Sequence, residues 1–209
     1  PTGTPLTGDL TINKAQLALA GYSGSRTYGD DNSTIAYTGT LSGQKFADDV
    51  VTVSGSVTDS NVTNRSNAAS YNGVLQGTLS GASAGNYELA APVTGNLTIN
   101  KAALSLSGYS GSRTYGDGNG TITYNGTLSG LKFADDAVNV SGSAESSVTD
   151  RSNAGTHSNV LTASLTGTSA GNYVISAPVT GDLTINKALL SIAGYGGSRT
   201  YGDDNSTIT

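Results

Sequence analysis

The chain predicts an all-β protein: small antiparallel β-sandwich domains of immunoglobulin-like kind, joined in tandem as a linear rod. Three observations carry that expectation. Segments recur at a domain-sized interval, and apolar residues alternate with small polar ones in short runs. Glycine, with 29 among 209 residues, is too frequent for a helical stripe to survive.

The repeat comes first. Leu10-Thr11-Ile12-Asn13-Lys14 returns 87 residues on as Leu97 to Lys101, and 86 residues later as Leu183 to Lys187. Such a period exceeds a solenoid unit and suits a small domain. Ser25 to Asp30 returns as Ser112 to Asp117 and Ser198 to Asp203, and Phe46-Ala47-Asp48-Asp49 returns as Phe133 to Asp136. Arg65 to Ala68 returns as Arg151 to Ala154, and Ser83 to Tyr87 as Ser169 to Tyr173. The offset changes between Ser56 and Arg65, in a stretch of Ser, Asn, Asp and Thr that reads as a surface loop. The chain therefore divides into residues 1–14, the end of a preceding repeat; 15–101 and 102–187, two complete repeats; and 188–209, the start of a third. Both ends fall mid-pattern, as expected of a piece of something longer.

Alternation places the strands of the first repeat at Gln16–Ala20, Thr34–Tyr37, Val51–Ser54, a looser run over 73–79, Tyr87–Leu89 and Asn96–Ile99. This pattern predicts six or seven half-buried antiparallel strands per repeat. The expected core is Leu17, Leu19, Ile35, Tyr37, Leu41, Phe46, Val51, Val53, Val74, Leu79, Tyr87, Leu89, Leu97 and Ile99. The matching positions of the second repeat, from Leu104 to Ile185, all stay apolar or aromatic. With no Trp, Met or Cys, the 11 tyrosines supply much of the bulk.

The junction is the most informative segment. Leu10 to Leu19, repeated at 97–106 and 183–192, runs from the last strand of one repeat into the first of the next without Pro, Gly or a Ser-rich spacer. A flexible tether needs such residues. At roughly 3.3 Å per residue the ten residues span about 30 Å of nearly extended chain, so neighbouring repeats are expected to have little freedom to swing.

Thr-Ile-Asn-Lys-Ala at the boundary, Arg-Thr-Tyr-Gly-Asp about a dozen residues later and Gly-Asn-Tyr near the repeat's end resemble the MBG domains of the Tyr-Gly-x type. The Thr-Tyr-Gly-Asp motifs at 27–30, 114–117 and 200–203 sit in the register of that family. The resemblance implies tandem modules of a very large secreted bacterial surface protein, of the biofilm-matrix or two-partner-secretion adhesin kind. It implies a repetitive extracellular stalk at the cell surface that holds an adhesive tip away from the cell. Its partners are then neighbouring repeats of the same chain, with exopolysaccharide or host glycan engaged through other regions.

The residues themselves leave little room for other chemistry. His157 is the single histidine, there is no cysteine, and the aligned position in the first repeat is Tyr71, so no enzyme is expected. Asp48-Asp49 and Asp135-Asp136 point to opposite faces if extended, which leaves a solvated turn as the reading. A net charge of −5 and the absence of a basic run argue against nucleic acid and anionic membrane. No segment is apolar enough to insert in a membrane. Arg26 beside Asp30 suggests a local ion pair at the turn.

Two binding readings stay open. Asp30, Asp31 and Asn32, with Asp117 and Asn119 and with Asp203 and Asp204, form recurring oxygen-rich clusters, and calcium is the one cofactor they admit. Gly118 replaces the second Asp in the second repeat, and the same residues suit a tight turn. Tyr22, Tyr109 and Tyr195 each follow a glycine and could stack on sugar rings, or fill the core. The expected function is thus a structural stalk or spacer, with direct binding of matrix polysaccharide or calcium as the alternative.

Overall fold

The computed structural model describes residues 7–209. Its strands form two curled β-sheets. The first is built from β1 (Ala15–Thr27), β2 (Ala36–Ser42), β3 (Thr52–Val57), β4 (Ser70–Ser80), β5 (Tyr87–Leu89) and β6 (Thr94–Asn100). Their order is β2-β1-β6-β4-β3, with β5 on the N-terminal part of β1. The second sheet uses β7 (Ala102–Thr114), β8 (Thr123–Ser129), β9 (Asn139–Ala144), β10 (Gly155–Thr166), β11 (Tyr173–Ile175) and β12 (Thr180–Asn186). Its pairings match those of the first, strand for strand.

All six expected runs are strands, but their pairing is mixed rather than wholly antiparallel. The first and last strands of each sheet run parallel, with Gly24 opposite Leu97 and Gly111 opposite Leu183. Strands β5 and β6 follow one another along the same edge of β1. Alternation reports which face of a strand is buried and carries no information on its neighbour's direction, so the parallel pairs are invisible to it.

Two strand ends also differ from the sequence reading. β1 runs through Gly21 because that residue, at φ 63°, forms a bulge between Ala20 and Ser23 instead of ending the strand. β2 starts at Ala36 because Asn32–Thr34 is a 3₁₀ turn, capped by the Asp31 carboxylate, which accepts the Ser33 N–H at 2.9 Å.

The core is cut unlike the sequence repeat. One apolar cluster joins Tyr28, Ile35, Leu75, Leu97 and Ile99 of the first sheet to Ala102, Leu104 and Tyr173 of the second. A second cluster holds Tyr109, Ile122, Val148, Leu161, Leu183 and Ile185. Most of the expected core residues are buried or half-buried, but Phe46 is 68% exposed. Its counterpart Phe133 packs against the core of the other sheet, so this position serves the junction and not the interior of its own sheet.

Candidate functional site: the junction between the two sheets

Strand β6 passes into β7 with Lys101 alone between them. Beside this crossing stands the turn that follows β1. Tyr28 donates its N–H to the Asn100 carbonyl at 2.8 Å and Gly29 donates to Asn64 at 3.1 Å, which fixes the turn against β6 and the 58–69 loop.

The anchor beneath the turn is Arg26, 4% exposed. Its Nε donates to Asn32 Oδ1 at 2.9 Å and its other nitrogens donate to the carbonyls of Thr27 and Thr63, while Asn32 Nδ2 donates to the Val62 carbonyl at 2.8 Å. Arg113, Asn119, Thr149 and Val148 repeat this network in the second sheet. The expected ion pair of Arg26 with Asp30 is therefore replaced. A planar fork deep in the fold is satisfied by carbonyls, and Asp30 is left to face outward.

With the turn fixed, the first sheet presents Tyr28, Asp30, Arg65 and Asn67 to the second. The Tyr28 ring meets Phe133 and Tyr173 edge-on at 5.6 and 5.4 Å. Its hydroxyl donates to Asp136 at 3.0 Å. Arg65 makes a two-pronged pair with Asp135, both contacts at 3.1 Å, and lies 4.1 Å over the Phe133 ring. Lys132 Nζ donates to Asp30 at 2.9 Å. Asn172 Nδ2 donates to Asn67 Oδ1 at 3.0 Å while its own oxygen accepts the Ala68 N–H at 2.8 Å. Gly29, at φ 87°, sits under the Lys132 stem so closely that an added Cβ would stand 2.5 Å from it.

Charge and burial shape the protonation states here. Burial pushes the Tyr28 and Tyr173 hydroxyls up, the latter to about 12, and the hydrogen bonds each donates to Asp136 act in the same direction. Arg65 holds the Asp135 carboxyl below the ordinary carboxylate range. Asp136 also accepts from Tyr173, as Asp49 does from Tyr87. The second carboxylate of each pair is thus bound by tyrosine and is not the solvated turn residue the sequence suggests.

The calcium candidates are spent on other partners or lie exposed. Asp30 Oδ1 takes Lys132, Asp31 caps its turn, and Asn32 and Asn119 are spent on the two buried arginines. Asp204 caps Ser206 as Asp31 caps Ser33, Asp203 offers its backbone carbonyl to Arg199, and Asp117 is exposed. Among the described residues no three acidic or histidine side chains converge on a cation-sized site.

Tyr22 and Tyr109 are core residues, each 7% exposed. The Tyr22 hydroxyl donates to Ser54 and Gln76 carbonyls at 3.2 Å each, and its ring stacks on Tyr37. Gly55 makes room for it, since an added Cβ there would stand 1.8 Å from the hydroxyl. Tyr195 is exposed. His157 takes the place of Tyr71, each meeting the backbone carbonyl four residues earlier at 2.9 Å.

The sequence motifs contain the junction residues but do not by themselves assign them to a contact. A signal is present all the same: Phe-Ala-Asp-Asp, Arg-Ser-Asn-Ala and Gly-Asn-Tyr stand unchanged in both repeats, although most of these residues are polar and add nothing to a core. Comparison with protein-family models, with curated proteins and with solved structures finds no match.

Proposed function

We propose that this chain is a run of spacer repeats, a length of stalk in a long secreted bacterial surface or biofilm-matrix adhesin that carries an adhesive tip away from the cell. The tandem modules would be MBG-like domains of the Tyr-Gly-x type, stacked end to end as a linear rod. The observation that carries the reading is the junction: a single residue between β6 and β7, braced on its flank by the aromatic trio of Tyr28, Phe133 and Tyr173 and by two ion pairs. A joint built this way suits reach. An apolar cluster that crosses from one sheet to the other makes hinge motion costly, because bending would expose it to water.

Glycan-array binding and thermal melting with and without calcium test the spacer against a binding module. The spacer predicts no saturable glycan binding and no calcium-dependent shift in melting. Saturable binding to one glycan class, or a clear calcium-dependent rise, would overturn it.

A further inference from the structure

The chain enters each sheet through its first strand and leaves through its last, and those two strands are parallel neighbours. In the first sheet the β1–β6 ladder runs from Ser23 opposite Asn96 to Thr27 opposite Asn100, and the Tyr28 N–H extends it to the Asn100 carbonyl at 2.8 Å. In the second sheet the β7–β12 ladder runs from Ser110 opposite Asp182 to Thr114 opposite Asn186, and Tyr115 donates to the Asn186 carbonyl at 2.8 Å. The chain comes in at the foot of β1, at Ala15, and goes out at the head of β6, at Asn100. Tension along the chain therefore draws the two strands in opposite directions along their shared ladder. Parallel ladder bonds are evenly spaced, so they share this shear and must break together.

The rest of each sheet opposes the same slip. β5 and β2 hold further stretches of β1, and β4 holds β6 on its other side, where the Ile99 N–H donates to the Ala69 carbonyl at 2.9 Å. A slip of one residue turns every side chain of a strand to the opposite face. For β1 that draws Leu17 and Tyr22 out of the interior and tears Arg26 from Asn32 and Thr63. Lys101 alone separates β6 from β7, so force that leaves one ladder enters the next sheet without slack. The edge strand β3 is built differently: it is held by β4 alone, with Thr52 opposite Ser80 at one end, and separation at that end breaks its bonds one at a time.

We infer that each sheet is a mechanical clamp, in which the parallel pairing of first and last strands bears tension along the chain in shear. The clamp itself stands on the strand topology, and its use as a load-bearing element rests on the stalk reading. It gives the sheets resistance to forced unfolding, which follows the unfolding rate, beyond what their equilibrium stability implies.

Force spectroscopy of the full chain tests it, with handles on introduced cysteines, since the chain has none of its own. In K14C/K187C, whose two positions are exposed, the pull runs along both terminal-strand ladders. The expected record is two discrete steps, each releasing one sheet as roughly 300 Å of extended chain less its folded span. In A47C/A82C, at exposed positions in the loops before β3 and after β4, the pull opens the β3–β4 pair from its Thr52–Ser80 end. The opening force at the same loading rate should then fall to about half or less, because the bonds part singly. Equal forces in the two geometries, or extension of K14C/K187C without discrete steps, would overturn the clamp. Saturable glycan binding would instead remove the stalk reading and leave these forces unchanged, so the two failures are told apart.

Discussion

The hydroxyl of Tyr28 in the first sheet donates to both carboxylate oxygens of Asp136 in the second, at 3.0 and 3.2 Å, across 108 positions of sequence. The same tyrosine occurs as Tyr115 with no such partner, which gives the junction an internal control. Y28F is expected to cost about 1 kcal/mol of stability, the usual net value of one hydrogen bond, and Y28A about 3 kcal/mol, since it also removes a buried ring. Y115F and Y115A should cost little. Urea unfolding of the four variants measures the contrast; equal losses at the two positions would contradict the assignment.

Arg26 and Arg113 are fixed points of their sheets. Replacing either by Ala leaves buried carbonyls and an asparagine unpaired and is expected to cost about 3 kcal/mol, while R26K rescues little because an ammonium cannot fork to Asn32 and Thr63 together. R199A, in the exposed segment after the second sheet, should change stability hardly at all. Chemical denaturation of these variants tests the contrast.

Gly55 and Gly142 face the hydroxyls of Tyr22 and Tyr109, where an added Cβ would stand 1.8 and 1.9 Å away. G55A and G142A should each destabilise by about 2 kcal/mol through overpacking. Y22F should relieve part of the G55A loss, the remainder coming from the Gln76 carbonyl at 2.5 Å, and a double-mutant cycle reads that coupling.

Alkaline pH should unfold the chain earlier than its charge alone suggests. Burial, helped by Tyr37 and Tyr124 respectively, pushes Tyr22 and Tyr109 up to about 12, and Tyr173 rises equally. Unfolded tyrosine loses its proton near pH ~10, so the unfolded state releases protons first. Stability is full below pH ~10 and falls as pH climbs towards ~12. Urea midpoints at pH ~9 and ~11.5 should differ accordingly, and a flat profile would contradict the burial of these hydroxyls.

Much of the fold is legible in the sequence because a half-buried strand prints its burial as alternation. Leu17, Leu97 and Ile99 follow from that pattern alone and are buried. What escapes it is non-local. The parallel pairing of β1 with β6 depends on the path of the chain between them, and the bulge at Gly21 mimics a strand end. Phe46 reads as core because an aromatic in a polar stretch usually is; the partner of its counterpart Phe133 lies in the other sheet, beyond the reach of any local pattern. Asp136 and Arg26 mislead for the opposite reason. Charged residues are assigned to the surface by default, yet these are held by tyrosine hydroxyls and by carbonyls.

The central claim is that the joint between the two sheets is rigid, and backbone ¹⁵N relaxation of the whole chain tests it most directly. A fixed joint predicts that amides of both sheets fit one strongly anisotropic tumbling tensor, and that Y28A, which removes the aromatic brace, loosens that coupling. Two separate correlation times in the unaltered chain, each suited to a single small domain, would contradict it.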